Sequence, residues 1–119
     1  EVQAIQVGPM VFVSNPAEYF VQYGLDIKAA SKFPFTFVVE LANGITGYVP
    51  TEEALGPKGG GYETRLTSYS NLEVSAGRQF ANTGIELANQ MTPGTIQLPP
   101  PPTPFKAPWA YGNQAPELK

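Results

Sequence analysis

The stretch "MVFVSNPAEYFVQYGLDIKAASKFPFTFVVELAN", residues 10–43, decides the fold. It opens on an apolar run, Met10–Val13, and closes on a longer one, residues 33–43, rich in β-branched and aromatic side chains. The second run is continuous rather than alternating, which predicts a strand buried on both faces. Between them lies a helix signal. Asn15 fits an N-cap, Pro16 the first helical position and Glu18 the third residue of a capping box. Phe20, Tyr23, Ile27 and Ala30 recur at helical spacing and are expected to face a core. Strand, helix and strand within so short a span predict a βαβ crossover, and so a parallel pair.

Upstream, "QAIQVGP" begins with weak alternation, and Gly8-Pro9 reads as a bulge, a bend or a hairpin turn. Downstream, residues 42–65 hold six glycines, two tyrosines, two prolines and three glutamates, the composition of a shaped loop. Within it, Thr51 can cap a short turn over "EEAL" that Gly56-Pro57 ends. Residues 71–91 space Val74, Phe80, Ala81, Ile85, Leu87 and Ala88 roughly as a helix does. Gly77 and Gly84 each weaken that helix by about 1 kcal/mol relative to alanine, which suggests close packing of another element. From Thr92 onward come eight of the thirteen prolines, four of them consecutive at Pro99–Pro102, which favours an extended tail without a core.

Parallel strands apolar on both faces require helices above and below and further strands alongside. Two long strands and about two helices do not supply them. The sequence therefore predicts an α/β fold that is an incomplete slice of a larger domain. Residues 1–91 form a βαβ unit plus a C-terminal helix, and 92–119 form the proline-rich tail.

Charge narrows the function. Seven basic side chains are scattered among ten acidic ones, with no run or stripe, so nucleic-acid binding is not expected. The chain has neither cysteine nor histidine, which excludes disulfides, thiol chemistry and a self-contained Ser/His/Asp arrangement. A zinc site built from this chain alone would have oxygen ligands only. No apolar run approaches the length of a membrane span, and no targeting segment is visible.

Glu18 has two readings, a helix-capping residue or a metal-ligating carboxylate at a strand-to-helix junction. Tyr48 follows the second apolar strand and would emerge on the same rim, either as a hydrogen-bonding wedge or as a phenolate ligand. Glu52 and Glu53 are explained as first-turn residues of a short helix capped by Thr51. "GGGYE", 59–63, lacks the Lys-Ser/Thr of a phosphate loop.

Three pieces in order, "NPAEYFVQYGLDIKAAS", "VVELANGITGYVPTEEA" and "GGYETR" followed by a helix, resemble the C-terminal part of the neutral/alkaline ceramidase catalytic domain. The resemblance covers about residues 3–91. In that family a zinc ion is held by two histidines, a glutamate and a tyrosine, and the amide of ceramide, a sphingolipid, is hydrolysed. The resemblance implies that Glu18 and Tyr48 are zinc ligands, and that Asn43, Gly44, Gly47, Tyr62 and Glu63 form the supporting loop. It also implies a secreted, periplasmic or cell-surface location. This sequence departs from the family in having Ala17 where "PGE" has glycine and Ile45 where tyrosine is frequent. The insert "GPKGGG", 56–61, has little counterpart there. The family's zinc histidines, and a serine from an earlier part of its domain that takes part in the cleavage, have no counterpart here, so the chain alone is expected to be inactive, its zinc shared with histidines of another polypeptide carrying the rest of the domain. Two alternatives stand beside this: a non-catalytic assembly subunit whose tail, with Trp109 and Tyr111, docks on a neighbour, and a stand-alone binding module that homo-oligomerises.

Overall fold

The computed structural model describes residues 1–101. Strands β1 (Gln3–Val7) and β2 (Met10–Ser14) form an antiparallel hairpin, and Gly8 takes the left-handed φ of 58° that its two-residue turn needs. Of the three readings of Gly8-Pro9, the hairpin is the one adopted. A two-residue strand β3 (Glu18–Tyr19) and helix α1 (Val21–Ala30) follow, then β4 (Phe35–Val39), β5 (Tyr48–Val49) and helix α2 (Ala76–Gln90). β4 pairs with β2 in parallel, as the crossover predicts, giving a sheet ordered β1-β2-β4. β3 and β5 form a separate parallel pair. The described residues form a mixed α/β unit of small sheets and two helices.

Both helices lie on one face of the main sheet. Val11 and Val13 are fully buried there with Tyr23, Ile27, Ala81 and Ala88, and Ala4 and Val38 pack at the margin. The glycines of α2 make this possible. A methyl group on Gly77 would run into the Tyr23 ring, and one on Gly84 into Val13. The helix-weakening glycines are thus sites of close approach, as their positions suggest.

Three expectations are corrected. β4 is not buried on both faces, since Phe35, Phe37 and Val39 are 45%, 45% and 40% exposed. The helices cover only the row that Thr36 and Val38 occupy. Second, Ala30 faces solvent, and Val74 is exposed ahead of α2. Third, the helix does not begin at Pro16. The Asn15 N–H donates to the Val39 carbonyl, its own carbonyl accepts from Ala42, and the Glu18 N–H donates to Gly47. Backbone partners from 39–47 hold 15–18 out of the helix, so the local capping signal loses to tertiary hydrogen bonding. Helix α1 starts only after Phe20, with no side-chain cap.

Of the tail, residues 92–101 have no regular structure, and the Gly94 N–H donates to the Gly8 carbonyl at 3.0 Å. The expectations for Pro102, Trp109 and Tyr111 lie outside the described residues.

Candidate functional site

Glu18 and Tyr48 are direct register partners in the β3–β5 pair. Two parallel segments bring them together. The Glu18 N–H donates to Gly47 at 2.9 Å and the Phe20 N–H to Val49 at 3.3 Å. Upstream, Pro16 accepts hydrogen bonds from the Thr46 backbone and hydroxyl.

The loop leading to Tyr48 is tightly shaped. Leu41 and Asn43 both adopt left-handed φ values, 54° and 60°. Gly47 has a φ of 67°, and a Cβ there would collide with the Ser70 hydroxyl and the Tyr69 carbonyl. Buried Ser70 in turn accepts a hydrogen bond from the Tyr48 N–H at 2.9 Å. Gly44 passes near Pro16, where an added Cβ would lie 3.2 Å from the proline Cβ. Exposed Asn43 and Gly44 therefore shape the loop without reaching the cleft. Downstream, Thr51 caps a hydrogen-bonded turn rather than a helix, its hydroxyl accepting from the Ala54 N–H.

Glu18, Tyr48 and Glu63 line one open cleft of about 520 Å³, with Glu40, Phe20 and Leu41 on its other sides. Tyr62 meets Tyr48 edge-on, ring centroids 5.7 Å apart. Glu63, expected with Tyr62 as part of the supporting loop, also lines the cleft. Partial burial pushes the Tyr48 phenol above its ordinary range, and the nearby Glu18 carboxylate pushes it the same way, with Tyr62 and Glu63 adding to the effect. Without a cation, Tyr48 is therefore a neutral phenol facing a carboxylate.

Glu52 does other work: it accepts a hydrogen bond from buried Tyr23, and Arg78 lies 4.0 Å away. Tyr23 is pushed up to about 12 by burial and then by that bond. Ala17 is fully buried in the core, where its methyl group is accommodated. At the carboxyl end of β2, Ser14 Oγ and both amide atoms of Asn15 are buried without partners.

Two contributors were not singled out from the sequence. Glu40, whose carboxylate accepts from the Tyr19 N–H at 3.0 Å, ends an apolar strand, a position that could have flagged it. Ser70 lies in "TSYSNL", where nothing distinguishes it from Ser68.

Among the described residues no group of three or more histidine, cysteine, aspartate or glutamate side chains could hold a metal ion. Glu18 and Tyr48 can offer a carboxylate and a phenolate oxygen side by side, and a four-coordinate ion would need further donors from elsewhere. Among the same residues no helix is long and apolar enough to cross a membrane. No protein family, curated protein or solved structure matches the chain.

Proposed function

We propose that the chain is the C-terminal segment of a zinc-dependent amidohydrolase of the ceramidase type, an incomplete slice of a larger α/β domain. The observation that carries this reading is the register pairing of Glu18 with Tyr48 at the rim of an open cleft. These are the two residues that the resemblance assigns to zinc, and thirty positions separate them in sequence. Glu18 lacks the capping role that would otherwise explain it, because α1 begins beyond it.

In this reading Glu18 and Tyr48 hold the ion from one side, and histidines outside these residues complete the set. Zinc bound there supplies Lewis acidity toward an amide carbonyl or water. The chain's own part is to fix two donors. Ser70 and Gly47 set the Tyr48 backbone, and the Gly47 carbonyl sets that of Glu18. Exposed Val21 and Leu41 beside the cleft suit the acyl part of a lipid-like N-acyl amide such as ceramide. A second reading, an assembly subunit or homo-oligomeric module without metal, is favoured by the bare apolar row of β4.

Native mass spectrometry with metal analysis on one sample separates the two. The enzyme reading expects a complex with a second polypeptide and about one zinc, and loss of that zinc in Glu18→Ala and Tyr48→Phe. A metal-free homo-oligomer, or zinc retained in both variants, would overturn it.

A further inference from the structure

Tyr48 lines two cavities of opposite character. The cleft described above carries three carboxylates, Glu18, Glu40 and Glu63, and no cation. The second cavity, of about 220 Å³, is lined by Tyr48, Tyr62, Tyr69, Thr67, Ser70 and Arg65. Arg65 is the one charged side chain among them.

The walls of this second cavity are held in place. The Thr67 hydroxyl accepts from the backbone N–H groups of Tyr69, at 3.3 Å, and Ser70, at 2.8 Å. The Thr67 N–H donates to the Ser70 carbonyl at 3.1 Å and closes the turn. Gly47 lets Tyr69 approach, since a Cβ there would lie 3.0 Å from its ring. On the other wall the Arg65 N–H donates to the Tyr62 carbonyl at 3.4 Å, so one tight turn presents both side chains.

Arg65 is left without a counter-ion. Among the described residues the ion pairs belong to Arg78, and no carboxylate lies within 4.0 Å of Arg65. Glu63 and Glu73 share with it only a neighbouring void of about 30 Å³. An unpaired guanidinium among aromatic walls favours an anion, and its planar fork matches a carboxylate through two parallel hydrogen bonds. A phosphate would bring a second negative charge near the Glu18 and Glu63 cleft with one cation to meet it. Tyrosine rings take a flat ring by stacking or edge contact. The volume lies below the range of about 300–1,000 Å³ for drug-sized ligands, which suits a single ring.

We propose that this cavity binds a small aromatic carboxylate, its carboxyl group on Arg65 and its ring among Tyr48, Tyr62 and Tyr69. The site goes beyond the zinc reading and stands whether or not Glu18 and Tyr48 hold a metal.

The test is an NMR titration of the full chain at neutral pH with benzoate, benzamide and hexanoate. Benzoate should give saturable shifts at Arg65, Tyr69 and Ser70, with a Kd of about 1 mM or tighter. Benzamide keeps the ring and loses the charge. It should bind at least about tenfold more weakly, the loss expected for a hydrogen bond to a charged group. Arg65→Gln should weaken benzoate by as much and, because Arg65 is exposed, leave the rest of the spectrum unchanged. Hexanoate keeps the charge and loses the ring, and should also bind more weakly than benzoate. Benzamide or hexanoate binding as tightly as benzoate, an affinity unmoved by Arg65→Gln, or shifts gathered at Phe35 and Phe37 would each overturn the proposal. So would the absence of saturable shifts, the result if another part of the chain already fills the cavity.

Discussion

The two faces of one three-stranded sheet have opposite fates. On one, Val11 and Val13 are buried to 0% and 1% under two helices that approach through glycine. On the other, Ile5, Val7, Phe35, Phe37 and Val39 stand about half exposed, and Phe12 stacks on Phe37 with centroids 5.0 Å apart. The residues alternate along the same strands and are equally apolar. What differs is the neighbour. Apolar character sets how much surface a strand can bury, and only the surrounding elements determine how much it does bury.

That contrast can be broken first at its most buried point. Tyr23 is fully buried, stacks on Tyr19 and donates to the Pro50 carbonyl. Tyr23→Ala should cost about 3–5 kcal/mol in denaturant unfolding, the range for emptying a large aromatic site. A cost under about 1 kcal/mol would mean that the helices do not seal this face.

The next effect tests packing against propensity. Gly84→Ala improves helix propensity by about 1 kcal/mol, yet its methyl group would press on Val13. Crowding should win, with a net loss of about 1–3 kcal/mol. A gain in melting temperature would show that the two layers are looser than their contacts imply.

The smallest effect lies on the open face. Phe37→Ala should cost about 0.5–1.5 kcal/mol, the worth of its stacking on Phe12, and should lower binding of a hydrophobic dye. A loss comparable to that of Tyr23→Ala would mean that this row is covered in solution.

Much of this was legible in residues 10–43. Continuous apolar runs bracketing a helical period gave the parallel β2–β4 pair, and that pair put Glu18 and Tyr48 on a common rim. Two things were not legible. Asn15-Pro16-Ala17-Glu18 matches a capping box residue for residue, and only the backbone donors and acceptors of 39–47, distant in sequence, override it. The run 33–43 looks doubly buried because apolarity was read as burial. Periodicity cannot say which neighbours are present. At the site, Tyr48 stood out by its glycine-rich surroundings, whereas Ser70 acts through one hydroxyl and carries no pattern.

Tyr19 donates its hydroxyl to the Gly77 carbonyl at 2.5 Å and stacks on Tyr23, while its neighbour Glu18 lines the cleft. In a strand successive side chains take opposite sides. A one-residue insertion or deletion between Asn15 and Phe20 would therefore swap the two, sending a carboxylate toward α2 and a tyrosine toward the cleft. The glycine-rich segment 56–61, exposed over most of its length, carries no such constraint. Length variation among natural versions of this chain should accordingly gather in 56–61 and spare 15–20, so that the spacing of those six residues is as much a signature of the site as Glu18 itself.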